Sequence, residues 1–147
     1  MRFLLVVMIV ASLISCSKDN TPVTQPPYMN CKADGATIDF NQSSAAHNGS
    51  NLQISGTSTA ASATVSLSLN NISSGQTGSF NIGSGNFNTA SYTDASGGYS
   101  AGTSSGSGVI TINVNNGSTI EGNFQFTAVN ISAKTKVITE GRFLIYH

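Results

Sequence analysis

Apolar residues recur at every second position along much of this chain, and that period dictates extended strands with one buried and one wetted face. Val65, Leu67 and Leu69 alternate with Thr64, Ser66 and Ser68. Ile110, Ile112 and Val114 alternate with Thr111 and Asn113; Ile120, Gly122, Phe124, Phe126 and Ala128 alternate with Glu121, Asn123, Gln125 and Thr127. Past the N-terminal segment no stretch has the period of an amphipathic helix, so little helix is expected.

Turn chemistry separates these runs. Asp34-Gly35 predicts a hairpin between 29–33 and 36–40, and Asn116-Gly117 another between 109–114 and 119–130. Asn48-Gly49, Ser74-Gly75, Gly83-Ser84-Gly85 and Gly97-Gly98 mark further reversals. The expectation is an all-β domain of about 8–10 antiparallel strands, closed as a β-sandwich or a β-barrel. The last run, 136–146, is apolar on both faces, with Val137, Phe143 and Ile145 on one and Ile138, Leu144 and Tyr146 on the other. Such a strand belongs inside a sheet and not at its exposed edge.

The N-terminus follows different rules. After Arg2 the run FLLVVMIVASLI holds no charge, and it falls short of the roughly 20 residues a membrane-spanning helix needs. Residues 1–15 therefore read as a cleaved signal peptide. Leu13-Ile14-Ser15-Cys16 resembles the bacterial lipobox, which implies a diacylglyceryl thioether on Cys16 and acylation of its new amine. Two or three acyl chains make a stable anchor where one is marginal. Ser17-Lys18-Asp19 is similar to the short charged tracts of Bacteroidota lipoproteins exported to the outer face of the outer membrane. Residues 16–27 contain all three prolines and read as an extended tether, leaving 28–147 as a single domain.

Only 8% of the chain is charged, and without Arg2 five basic side chains face six acidic ones. No basic stripe suits nucleic acid. With Cys16 lipidated, Cys31 has no partner for a disulfide and reads as a small buried hydrophobe. Two histidines and one remaining cysteine serve zinc poorly, and no alternating carboxylate loop suits calcium. No cofactor is expected.

Candidate chemistry is sparse. His47 sits in a polar stretch and reads as a solvated loop residue; His147 is the terminal residue, so a nucleophile would lack an oriented base. Asp34, Asp39, Asp94, Glu121 and Glu140 are the carboxyls available for paired acid chemistry. Asp34 is explained as a turn residue, and Glu121 and Glu140 fall on outward strand positions. Asp94 falls in what reads as the longest loop, where a turn-forming role competes with a ligand-binding one. Tyr92 and Tyr99 are the candidates for stacking on a sugar; the competing reading has both rings covering the end of the core with their hydroxyls in water.

The chain resembles a family of Bacteroidota lipoproteins without an assigned activity, the DUF6252 group. The resemblance rests on Cys31-Lys32-Ala33-Asp34-Gly35, Ala90-Ser91-Tyr92-Thr93-Asp94, Gly106-Ser107-Gly108-Val109-Ile110-Thr111-Ile112, Ile120-Glu121-Gly122-Asn123-Phe124-Gln125-Phe126-Thr127-Ala128 and Val137-Ile138-Thr139-Glu140-Gly141-Arg142-Phe143. Asn123 stands where a Thr or Ser is expected. The resemblance implies an exported β-rich domain and brings no functional residues with it. The expected role is a non-enzymatic, lipid-anchored outer-membrane protein acting as a binding or structural module. A carbohydrate-binding surface lipoprotein is the alternative, and a small hydrolase or hydrolase inhibitor ranks below it. The membrane is one partner, reached through the lipid anchor, and a glycan or an envelope protein the other.

Overall fold

Period-two patterning and tight turns resolve into eleven strands in the computed structural model, which describes residues 25–147. Residues 1–24 carry the expected signal peptide, the Cys16 lipidation and most of the tether, and these lie outside the described residues. The strands are β1 (Tyr28–Ala33), β2 (Ala36–Asp39), β3 (Gln42–Asn48), β4 (Asn51–Ser58), β5 (Ala63–Leu69), β6 (Gly78–Ile82), β7 (Thr89–Asp94), β8 (Gly97–Ala101), β9 (Ser107–Asn115), β10 (Thr119–Val129) and β11 (Thr135–Tyr146). Eleven exceeds the expected eight to ten. Short β2, the expected second arm of the Asp34-Gly35 hairpin, is one edge strand; the other, weakly patterned β3, where Ala45 is the one buried side chain, is not announced by alternation.

The sheet is antiparallel in the order β2-β1-β11-β10-β8-β7-β5-β4-β3, with β9 pairing β10 and β6 pairing β9 as a branch. It curls into a half-barrel. The curl is visible at Gly56 of β4, where an added Cβ would lie 2.6 Å from Met29 Sδ and 2.9 Å from Phe40 Cγ. Strands β1 and β4, far apart in the sheet order, therefore meet across the interior. Leu52, Ile54, Val65, Leu67 and Leu69 fill one side of that interior, and Ile110, Ile112, Ile120, Phe124, Phe126 and Phe143 the other. Burial of these side chains is the dominant favourable contribution to folding. β11 lies between β1 and β10, as its composition requires.

Two bulges change which side chains point inward. In β9 an extra residue, Asn113, sits between the pairs Glu121 with Val114 and Gly122 with Ile112. Val114 is thereby turned outward and Asn115 goes into the core, contrary to the unbroken alternation expected. In β11, Thr139 and Glu140 together oppose Gln125, and Glu140 adopts φ 51°. Ile138 therefore shares the buried face with Gly141, Phe143 and Ile145, while Val137 is 42% exposed. An extra residue reverses the facing of everything beyond it. Leu144 alone is buried on the outer face of β11, so the expected second apolar face is mostly wetted.

The hairpin chemistry is as expected. Asp34 and Gly35 take φ 48° and 85° in the two-residue turn between β1 and β2, a backbone favoured by Asp-Gly. Asn116 Oδ1 accepts hydrogen bonds from the amides of Ser118 and Thr119, closing the turn into β10.

Candidate functional site

Three chain reversals meet at one end of the half-barrel: the β1–β2 turn at Asp34, the β7–β8 turn at Asp94 and the start of β11 at Lys136. Asp94 is the last residue of β7, and β8 begins at Gly97. The expected long loop is instead a tight hairpin, with its residues recruited into paired strands by the register of Asp94 with Gly97 and Tyr92 with Tyr99. Longer connections lie between β5 and β6 and between β6 and β7.

Lys136 Nζ lies 3.1 Å from Asp94 Oδ2 and 3.3 Å from Asp34 Oδ2. Asp94 Oδ1 accepts hydrogen bonds from the Ser96 amide at 2.8 Å and from the Ser96 hydroxyl. Asp34 Oδ1 accepts from the Val137 amide at 2.9 Å, and the Asp34 amide donates to Val137 O. All four carboxyl oxygens thus have partners. The Lys136 ammonium also stands over the rings of Tyr99 and Tyr92, 5.1 and 5.9 Å from their centroids, within the range of cation–π attraction. A cavity of about 420 Å³ bounded by Asp34, Ile38, Ala61, Tyr92, Asp94 and Lys136 opens beside the cluster.

Electrostatics at this end follow from partial burial and close pairing. Burial alone would raise the Asp94 carboxyl, but the Ser96 hydrogen bonds and the Lys136 ammonium outweigh it and hold the group below its ordinary value. Burial would likewise lower Lys136, and its hydrogen bonds to Asp94 and Asp34 carry it above. The Tyr92 phenol is pushed up, first by burial and then by the nearby Asp94 charge.

These directions fix a pH dependence. Asp94 binds its proton less readily folded than unfolded, so its contribution to stability is complete above the ordinary value of 3.8 and lost as pH falls through the depressed folded value. Lys136 contributes fully below 10.5 and loses its contribution as pH rises through its raised folded value. Asp94→Asn is expected to cost about 1–2 kcal/mol at neutral pH. It should also flatten the acid limb of the thermal midpoint below the ordinary carboxyl value of 3.8. Parallel acid limbs in the two proteins would contradict the pairing.

The sequence-named residues Tyr92, Asp94 and Tyr99 do come together, yet not as a stacking platform. Tyr92 is 1% exposed and Tyr99 6%, so neither ring offers a face to a sugar; the Tyr99 hydroxyl lies 3.1 Å from Ser96 Oγ. Lys136, which the sequence presents only as the start of a strand, is the residue that organises the cluster. Nothing local announces it, because its partners arrive from β1 and β7. Glu121 and Glu140 are on the outer sheet face, Glu140 pairing with Lys32 at 2.8 Å. Cys31 is buried and free, and burial pushes its thiol up to about 12. It is an unreactive apolar side chain.

His47 is not in a loop. It lies in β3, with Nε2 3.2 Å from Asn115 Oδ1. Asn115 Nδ2 donates to the carbonyls of Ser73 and Gln76, so Oδ1 must face the imidazole and Nε2 carries the proton. His47 Nδ1 is buried without a partner, and the His147 ring centroid is 6.3 Å away. Among the described residues no three His, Cys, Asp or Glu side chains converge on a metal position.

A family model described as "Domain of unknown function (DUF6252)" matches residues 25–145. No curated protein and no solved structure matches the chain.

Proposed function

The chain belongs to the DUF6252 family, and on that premise we propose that it is a non-enzymatic, lipid-anchored envelope protein. Its β domain is a binding or structural module displayed outside the outer membrane. The observation that carries this reading is the saturation of the Asp34, Asp94 and Lys136 cluster. Each carboxyl oxygen there is engaged by an ammonium, an amide or a hydroxyl, and Ser96 donates to Asp94 and is not activated by a base. A general acid, base or nucleophile needs a titrating group free to exchange a proton with substrate. This cluster instead ties three chain reversals into a rigid end.

The anchor sets the orientation. Gln25 enters beside the end of β11, where its carbonyl accepts from the Tyr146 hydroxyl at 2.7 Å. That end is opposite the Asp34 cluster, because β1 starts there at Tyr28 and reaches Ala33 at the cluster. From Cys16 to Gln25 the chain spans at most about 30 Å at full extension. A lipidated Cys16 would therefore tether the domain by its Tyr28 end, the end opposite the clamp.

Exposing intact cells to an impermeant protease and blotting for the domain tests the display. Loss of the domain while a periplasmic control survives is the expected result. Digestion only after lysis would contradict surface display and turn the search for partners to the periplasm.

A further inference from the structure

We propose that the outer face of β1, β11, β10, β9 and β6 binds a neutral polysaccharide chain; this rests on the binding-module reading above and assigns it a ligand class. Register places a row of polar side chains across these five strands. Asn30 pairs with Arg142, Arg142 with Asn123, Asn123 with Thr111 and Thr111 with Ser79. All five point away from the core that Met29, Phe143, Phe124 and Ile110 fill from the alternate positions. Strands are about 4.8 Å apart, a spacing comparable to the length of one sugar unit, so the row can address successive units of a chain lying across the strands.

The face is concave where it matters. A depression of about 440 Å³ is lined by Tyr28, Asn113, Glu121, Asn123, Gln125 and Arg142. A neighbouring one of about 620 Å³ shares Tyr28, Glu140 and Arg142 with it and adds Asn30. Both bulge residues, Asn113 and Glu140, are in the lining. Bulges re-aim side chains, and here they turn an amide and a carboxylate into the same hollow.

The chemistry selects the ligand. Arg142 and Glu121 enter no ion pair among the described residues, in contrast to the saturated cluster at the far end of β1. Arg142 and Lys32 balance Glu121 and Glu140, so the face carries no net field to attract a polyanion or a cation. The large exposed hydrophobics, Phe87, Ile131, Val137 and Tyr146, are all outside the lining, which therefore lacks the apolar centre of a protein interface. Amides, a guanidinium and carboxylates supply both donors and acceptors, the complement of a hydroxyl that does both. Tyr28, partly exposed and shared by the linings of the two depressions, is the aromatic side chain at hand for the C–H side of a sugar ring.

Mature lipoprotein in mild detergent, run on native gels cast with β-glucan, galactomannan, xylan or starch, and with polygalacturonate as the anionic comparison, tests this. Retardation by at least one neutral polymer is expected. It should weaken by about tenfold in Tyr28→Ala and in Arg142→Ala, while Gln53→Ala on the outer side of β4 leaves it unchanged. Thermal midpoints keep a folding defect distinct from a binding one, and the exposed Asn123→Ala provides a third variant with little structural risk. Indifference to every neutral polymer, retardation by polygalacturonate alone, or full retardation in all three face variants would overturn the proposal. Detergent phase partition of the same preparation reports on the anchor separately. A protein that partitions as a lipoprotein yet ignores every sugar removes the glycan face and leaves the envelope-module reading in place.

Discussion

Replacing Phe124 by alanine is expected to destabilise the domain by about 3–5 kcal/mol, the range for deleting a fully enclosed aromatic ring. The ring is 2% exposed and lies over Gly141 on the neighbouring strand, where an added Cβ would come within 2.6 Å of it. It also stacks at 6.2 and 6.3 Å on Phe126 and Phe143. Three strands of a curled sheet cannot close on the space it would leave without breaking the β9–β10–β11 ladder. The cost should therefore contain both the lost transfer energy and a cavity contribution. Denaturant titration is the direct readout, with a lower midpoint at an unchanged slope. Ile131→Ala, at a fully exposed position, should move stability by less than about 0.5 kcal/mol. A change that small in Phe124→Ala would mean that β10 presents its other face to the core.

How far this fold was legible in the sequence depends on where the ladder runs without interruption. Val65, Leu67 and Leu69 and the whole inward set of β10 are buried as their alternation requires. Asp34-Gly35 turns with positive φ at both residues, and Asn116-Gly117 turns with positive φ at Gly117 and the Asn116 side chain closing the reversal. The misreadings begin at the bulges. Unbroken alternation sets Val114 on the face of Ile112 and Val137 on the face of Phe143; Asn113 and Glu140 break both, and an extra residue has no signature of its own because it is fitted to the partner strand. The cost of misreading β9 was Asn115, a buried amide that joins β3 to the segment after β5 and fixes the tautomer of His47.

The clustered residues teach a similar lesson. Tyr92, Asp94 and Tyr99 were recognisable as chemically rich and close in the chain, but the hairpin that joins β7 to β8 reads as a loop when its glycines are counted without its register. Their meaning changes once Lys136 and Asp34 arrive through the pairing of β1 with β11. A tyrosine with an ammonium over its ring and the core beneath it is a structural element, not a sugar platform. The outer row of Asn30, Arg142, Asn123, Thr111 and Ser79 had no local mark at all. It exists only in the register of five strands.

The second large effect concerns Cys16. The Leu13-Ile14-Ser15-Cys16 motif predicts that the thiol carries a diacylglyceryl group and the new amine a further acyl chain. Each buried methylene adds about 0.8 kcal/mol of membrane affinity, so two or three chains would make a stable anchor where one is marginal. Among the described residues no helix is long and apolar enough to cross a membrane. Expressing the wild type and Cys16→Ala in cells fed labelled palmitate, then separating a detergent phase from an aqueous one, is the most direct measurement. Lipidation predicts a labelled wild-type protein in the detergent phase and an unlabelled variant recovered without partition into it. A Cys16→Ala protein that still partitions into detergent with its label intact would contradict the anchor, and with it the placement of this β domain at the membrane surface.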